Sequence, residues 1–394
     1  MKKILIIIII ALSTIQVNAQ WQLTTCPLGS GDGILSLATN GNYVFAGVEG
    51  LGVNLSTNNG GPFWNPMNNG LTSSYITSFT VKGSDVFAGT DAGIFRSSNN
   101  GTNWSVVNNG LTMTFITSMS NNGTSIFAGA GFGQIFRSDN NGALWTEISN
   151  GLPSSTSAMT TCFAYKDGNV FEGMTGEGVY KSSNNGLNWT ASNNGMTEPV
   201  VYSLLVSGTT ILAATLDGLY ASVDDGSNWN SISLGIPYFT AYCFAKSGSN
   251  LYMGTDKGIF LSTNDGATWD SINTGLTNRN VEMLAINGTY LFANERQTGV
   301  WRRPLTEIIG MKEINKLDDL ALFPNPAIDE INIETPQTLQ EAFVSVYNIN
   351  GVLLFSQPIH ESKTVIDISM LATGVYFIKL NSNKSSKVEK FIKE

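Results

Sequence analysis

Ser97-Ser98-Asn99-Asn100-Gly101-Thr102-Asn103-Trp104 is the stretch on which the fold turns, because it recurs. The same Ser-x-Asn/Asp-x-Gly spacing returns at Ser138, Ser182, Ser222 and Ser262, and each copy closes on a tryptophan: Trp145, Trp189, Trp229 and Trp269. An earlier copy runs from Ser56 through Asn58 and Gly60 to Trp64. Successive serines lie 41, 41, 44, 40 and 40 residues apart. A fixed period of this length marks a repeat array, and four short strands per unit is the propeller solution. Within each copy Asn or Asp bonds nearby backbone amides and tolerates left-handed geometry, while Gly supplies positive φ without steric cost. The tryptophan then packs the hairpin onto its blade. These residue types build turns, so the copies are read as folded hairpins and not as six ligand sites.

The sequence between the tryptophans aligns as three further strands. One reads ILSLATNG, ITSFTVKG, ITSMSNNG, TTCFAYKDG, VYSLLVSG, AYCFAKSG and VEMLAING; the next reads YVFAG, DVFAG, SIFAG, NVFEG, TILAA, NLYMG and YLFAN. The third reads GVNLS, GIFRS, QIFRS, GVYKS, GLYAS, GIFLS and GVWRR. Short apolar runs broken by Gly, Asn and Asp are the strand-and-hairpin signal. Seven triplets accompany six turn motifs, and the seventh triplet ends at Trp301-Arg302-Arg303-Pro304, where a motif would begin. The missing fourth strand is at the other end: Trp21 opens WQLTT, which matches the strands that follow the other tryptophans. Trp21 to Thr25 is therefore expected to pair with Gly299 to Arg303 and close the ring, which removes two free sheet edges. The fold class is all-β, with residues 20–304 as one seven-bladed β-propeller; six and eight blades are the alternatives.

The repeated motif resembles the Asp-box, or BNR repeat, found in sialidases, sortilin-type receptors, xyloglucan-cleaving glycosidases and photosystem II assembly propellers. The resemblance implies a propeller and leaves chemistry open. A sialidase would bring three arginines, a tyrosine nucleophile and an early R-I-P motif. This chain has no R-I-P, Arg96 and Arg137 precede turn motifs, and Arg279, Arg296, Arg302 and Arg303 crowd the end of the repeat. Xyloglucan-cleaving relatives use two propellers with a cleft between them, and one is present here. The photosystem assembly propellers match in blade number.

The ends bound the class. Lys2 and Lys3, the apolar run Ile4 to Leu12 and Val17-Asn18-Ala19 read as a Sec signal peptide over residues 1–19. That run is too short to span a membrane, and no other segment is long and apolar enough. The mature chain is thus expected to pass the periplasm, without a transmembrane segment, and to be secreted or held at the outer-membrane surface. The formal charge of −9 disfavours nucleic acid, whose phosphates need a basic footprint. Three cysteines make no disulfide framework. Cys162 and Cys243 fall where other units have Ser36, Ser78, Ser118, Ser203 and Met283, and read as small buried residues of inner strands.

After Pro304 the repeat stops. Residues 305–318 carry charge without a period and read as a linker. Beyond it come Leu322-Phe323-Pro324-Asn325-Pro326, Ile331-Asn332-Ile333, Val344 to Tyr347, the turn Asn350-Gly351, Ile366 to Ser369, Gly374 to Lys379 and Lys390 to Lys393. Alternating apolar positions around an Asn-Gly hairpin describe a small β-sandwich. These residues look like the type A sorting domain of type IX secretion cargo in Bacteroidetes, over residues 319–394. The resemblance carries F-P-N-P, Gly351, L-x-x-G-V-Y and the lysine-rich last strand. It implies the type IX machinery as a partner, passage across the outer membrane, then cleavage and release or attachment to lipopolysaccharide.

In a four-stranded blade, the loops from second to third strand share a face with the loops from one blade to the next, and the turn motifs lie opposite. The candidate ligand face carries Tyr75, Phe115, Glu198, Tyr238, Phe239 and Arg279 from the blade-to-blade loops. From the second-to-third loops it carries Glu49, Asp91, Phe132, Glu177, Asp217, Asp256, Glu295 and Arg296. Six carboxylates in seven loops describe either an acidic rim, with paired carboxylates for glycoside hydrolysis, or ordinary turn chemistry copied by repetition. The one histidine, His360, is in the C-terminal module, so the propeller has no His base, Ser-His-Asp triad or His metal ligand, and no cofactor is expected. The function read from sequence is a glycan- or protein-binding propeller. A glycoside hydrolase using rim carboxylates and a surface adhesion component are the alternatives.

Overall fold

The computed structural model describes residues 21–28, 33–153, 158–295, 298–310, 321–334, 342–349, 352–359, 361, 363–381 and 386–394. The signal-peptide segment, Arg296, the 311–318 part of the linker and the Asn350-Gly351 turn lie outside the described residues. The chain divides into two compact units, residues 1–310 and 311–394.

The first unit is a ring of seven four-stranded antiparallel sheets. The innermost strands are Ile34–Asn40, Ile76–Lys82, Ile116–Asn121, Thr160–Lys166, Val201–Ser207, Ala241–Ser247 and Val281–Ile286, and the last packs beside the first. Core clusters draw on two neighbouring blades at once: Phe45, Val53 and Leu55 of blade one meet Ile76, Val86, Phe95 and Trp104 of blade two. The ring closes as the strand count predicts. Gln22–Leu23 completes blade seven by pairing with Gly299–Pro304, Gln22 opposite Arg302 and Leu23 opposite Trp301.

The turn motifs show why their residues recur. In blade two the Ser97 hydroxyl donates to Asn99 Oδ1 (2.9 Å) and accepts from the Gly101 amide (2.8 Å), while Asn99 Oδ1 also accepts from the Asn103 amide (2.9 Å). The same set recurs around Asn140, Asn184, Asp224 and Asn264. The left-handed residue is the one after this Asn or Asp: Asn100, Asn141, Asn185, Asp225 and Asp265 all have φ between 53° and 57°. Loss of this acceptor should cost about 1 kcal/mol. We expect that loss for Asn99→Ala and for Asn184→Ala in urea denaturation, with ligand affinity unchanged; an unaltered midpoint would contradict the assignment.

The tryptophans reach further than their own blade. Trp104 Nε1 donates to Met67 O of the preceding blade, and Trp145, Trp189 and Trp229 donate to Val107, Ile148 and Ser192 O in the same way. Trp21 does this for the closing blade, donating to Ile272 O at 2.8 Å. Each bond fastens one outer strand to the next. Close approach is possible because Gly70, Gly110, Gly151 and Gly195 hold φ of 90° to 93° and a Cβ there would meet the tryptophan carbonyl at 2.0 to 2.3 Å. Blades one and six are the exceptions: Trp269 Nε1 donates to Gly266 O of its own turn (3.0 Å), and the turn of blade one is longer. One extra residue separates Gly60 from Trp64, and the Trp64 Nε1 and Ser56 Oγ atoms find no partner among the described residues.

Cys162 and Cys243 are free thiols on inner strands, and burial pushes both up to about 12. A Cβ on Gly173 or Gly254 would come within 2.6 Å of their sulfurs, so a small residue is needed where the first two strands meet the next blade. Residues 305–310, read from sequence as the start of a linker, form the helix Leu305–Gly310. Leu305 and Ile308 are buried against Trp21, Trp301 and Leu291 in the last blade. Three apolar residues in six give too short a pattern to be seen as a helix.

The second unit is a sandwich. A three-stranded sheet holds Ala321–Phe323, Glu330–Glu334 and Lys363–Asp367; a four-stranded sheet holds Leu353–Ile359, Ala342–Asn348, Gly374–Asn381 and Ser386–Lys393. Its core joins Ile331, Ile333, Val344, Val346, Ile366, Ile378 and Phe391. The sequence motifs have structural reasons. The Asn325 side chain donates to Lys390 O and accepts from the Ile392 amide, pinning the F-P-N-P segment to the last strand. Tyr376 donates to Ala372 O and stacks on Phe391 with ring centres 5.6 Å apart.

Candidate functional site

The loops of the candidate face are sewn together in pairs. The amides of Glu49, Gly131, Thr175, Leu216 and Asp256 donate to the carbonyls of Gly33, Phe115, Met159, Val200 and Thr240. Each bond ties a second-to-third loop to the blade-to-blade loop beside it. In five of the seven blades the backbones of the two loops are thus paired.

Several of its carboxylates are engaged by these loops. Asp91 accepts from the Ser73 hydroxyl, and Asp256 accepts from the Thr240 amide (2.9 Å) and Lys257 Nζ (2.6 Å). Glu198 accepts from the Val200 amide (2.8 Å). Glu49 and Glu177 are half-buried, and Asp217 is exposed. Glu295 is not a rim group: it is fully buried and accepts from Thr298 Oγ1 (2.7 Å), Thr277 Oγ1 (3.2 Å) and the Asn278 amide (3.2 Å). Phe239 is likewise no surface aromatic, being buried among Leu212, Leu219 and Phe260. Arg279 is exposed and Phe115 half-buried.

Tyr75, Phe132 and Tyr238 do stand out from this face, and Tyr238 is 87% exposed. Phe132 (φ 63°) and Tyr238 (φ 43°) hold left-handed backbone geometry. A bulky residue held there costs on the order of 1–3 kcal/mol, and such strain gathers at ligand clamps. Phe132 sits in the tight turn Gly131–Gly133. It borders a groove of about 500 Å³ whose other side is the outer strand of blade three. On that strand Glu147 accepts from Gln134 Nε2 (3.2 Å), Ser149 Oγ (3.1 Å) and Thr112 Oγ1 (3.4 Å).

A second feature escaped the sequence reading. Every inner strand carries a bulge at its second residue, on the candidate-face end. Bulges re-aim side chains beside functional sites. At three of these positions Thr77, Thr117 and Thr161 donate to a carbonyl of the next blade. At three others stand Tyr202, Tyr242 and Glu282. The two tyrosine rings lie 5.6 Å apart, and burial followed by nearby carboxylates (Glu198 and Glu282 for Tyr202, Asp256 and Glu282 for Tyr242) holds their hydroxyls above the ordinary range. The switch from Thr to Tyr at one repeat position was the available signal. Among the described residues no group of three or more His, Cys, Asp or Glu side chains gathers to hold a metal ion, and no helix is long and apolar enough to cross a membrane.

Residues 21–176 match the family described as the DUF6242 beta propeller domain, and residues 321–394 match the secretion system C-terminal sorting domain. Among solved structures the chain is similar to YCF48 bound to D1 peptide, at 13% identity and TM-score 0.58 over 72% of this chain and 94% of that one. It is similar to YCF48 from Cyanidioschyzon merolae at 14% identity and TM-score 0.56, over 72% and 98%. It is also similar to the GH74 enzyme of Niastella koreensis at 16% identity and TM-score 0.52, over 68% and 42%. At these identities the likeness shows the fold alone. A curated relative, the funoran endo-beta-hydrolase of Wenyingzhuangia aestuarii, is 33% identical over 75 residues, 18% of this chain and 10% of that protein. The match spans about a tenth of that relative's length. The chain therefore carries a β-propeller domain followed by a secretion system C-terminal sorting domain, and the sorting domain marks it for secretion or the cell surface.

Proposed function

We propose that this chain enters the periplasm on a signal peptide at residues 1–19 and crosses the outer membrane by the type IX route. There its propeller binds a glycan or an extracellular protein without transforming it. The observation that carries the reading is the set of exposed aromatics, Tyr75, Phe132 and Tyr238, on one face, two of them in strained backbone. Exposed aromatic surface held on a rigid frame suits recognition. A propeller of this fold occurs bound to a peptide, which supports binding as a use of the architecture. Hydrolysis would need two carboxylates converging on one bond. Here Asp91 and Asp256 are engaged by their own loops, and the candidates are spread one to a blade.

The test is a glycan array and a set of extracellular host proteins probed with the purified chain, followed by hydrolysis assays on the glycans that bind. Binding without turnover is expected, sialosides and xyloglucan included. Turnover lost on single mutation of two among Glu49, Asp91, Glu177, Asp217 and Asp256 would replace this reading by a glycoside hydrolase.

A further inference from the structure

Among the described residues, the non-glycine positions with positive φ are Asn or Asp in all but two cases. Asn and Asp tolerate this geometry through short side chains that bond locally. The two exceptions, Phe132 and Tyr238, are both aromatic, both exposed and both on the loop face. Neither is buried in a core that would offset the strain. Phe132 also has a groove beside it, and the groove has a definite chemistry. Met113 and Leu152 supply apolar walls next to the phenyl ring, and Glu147, Gln134 and Ser149 supply a bonded polar floor.

We propose that this groove is a subsite for an uncharged pyranose ring of a polysaccharide, stacked on Phe132 and donating a hydroxyl to Glu147. The inference rests on the reading of the loop face as a binding surface and names the ligand class for one part of it. A pyranose offers one face of C–H groups to an aromatic ring and a rim of hydroxyls to polar groups, which is the division found here. An ionised carboxylate has about four acceptor positions, and Glu147 uses three on Thr112, Gln134 and Ser149. Those three donors fix the carboxylate in place and leave an acceptor for an incoming hydroxyl. Among the described residues the groove lining holds no lysine or arginine, and Glu147 brings negative charge. A sulfated or uronic acid chain would meet like charge without a cation, which selects against it. The groove volume of about 500 Å³ lies within the range of roughly 300–1,000 Å³ usual for small-ligand sites.

Calorimetric titration of the chain from residue 20 to 394 tests this with β-glucan, β-mannan and β-galactan hexasaccharides and a sulfated galactan hexasaccharide. At least one neutral probe should bind and the sulfated probe should not. Phe132→Gly is the informative variant, because glycine fits φ of 63° without strain. It should weaken binding by about tenfold or more while Tm stays level or rises. A residue kept for folding alone would show a lowered Tm and unchanged affinity, which would overturn the proposal. Glu147→Gln should also weaken binding, whereas Tyr238→Gly should alter it by less than about twofold. Neutral binding that survives Phe132→Gly but is lost on Tyr75→Ala or Tyr238→Gly overturns the subsite and leaves the face. Preference for the sulfated probe overturns the chemistry. Binding of a protein partner with no response to any hexasaccharide overturns the subsite while leaving the wider reading, and binding lost only in Asn99→Ala overturns both.

Discussion

A chain ending at residue 318 should fold its propeller fully and vanish from the cell surface. In its host, fractionation and immunoblotting should find it in the periplasm, with the surface and medium fractions at background. The sorting domain holds its own hydrophobic core, and the blade cores are built from propeller residues. The position of the cut matters. Leu305 and Ile308 are 5% and 1% exposed, and the Leu305 amide donates to Thr289 O. Cutting at 304 therefore strips two buried aliphatic side chains from the last blade, at a cost of roughly 3–5 kcal/mol. The pair of truncations separates export from folding. Surface appearance of the 318 chain at the level of the full chain would refute the assignment of residues 319–394 as the export signal. A milder version uses Asn325→Ala, which removes the side-chain bonds to Lys390 O and the Ile392 amide and should impair export by loosening the last strand.

Architecture was legible because repetition writes the same physics many times. Each turn needs a hydroxyl at the serine, an acceptor two residues on and a left-handed pair after it, so few residue types serve and the spacing survives. Ring closure followed from counting, since seven triplets and six turns leave Trp21 to Thr25 as the missing strand, of which Gln22 and Leu23 pair with Arg302 and Trp301. The site was legible only in outline. Topology placed the second-to-third and blade-to-blade loops on one face, but it could not say which of two adjacent aromatics points outward: Tyr238 does and Phe239 does not. It could not separate Glu295 from Asp91, because burial of Glu295 depends on hydroxyls of Thr277 and Thr298 brought from two loops. Glu147 does not stand out in the sequence, since its hydrogen-bond partners Thr112 and Gln134 lie in other strands' loops. Departures from the repeat were the unused signal. Gly131-Phe132-Gly133 departs from the carboxylate-bearing loops of the other six blades, Tyr202 and Tyr242 depart from threonine, and NVFEG departs from FAG.

The last of these departures carries the second large effect. Glu172 occupies the place held by Ala46, Ala88, Ala128, Ala213, Met253 and Ala293 in the other blades. It is fully buried; Thr160 Oγ1 donates to its Oε1 at 2.6 Å, and Oε2 has no partner among the described residues. Burial pushes its carboxyl from 4.5 up to about 8, with the Thr160 bond pulling weakly the other way. In the unfolded chain the group titrates near 4.5, so below that pH it is protonated in both states and costs nothing. Between 4.5 and 8 folding must take up a proton, and stability falls as pH rises through this window. Above 8 the loss levels off at a few kcal/mol, since each unit of pKa difference is worth about 1.4 kcal/mol. Glu172→Gln keeps the volume and removes the charge. Its urea midpoint should match that of the wild-type chain near pH 4.5, exceed it clearly at pH 8.5, and change little in between. The propeller sequence has no histidine to titrate in the same window, so the difference between the two curves isolates this carboxyl. Parallel curves for wild type and Glu172→Gln from pH 4.5 to 8.5 would mean that Glu172 stays ionised at no cost, and the buried-acid assignment would fall.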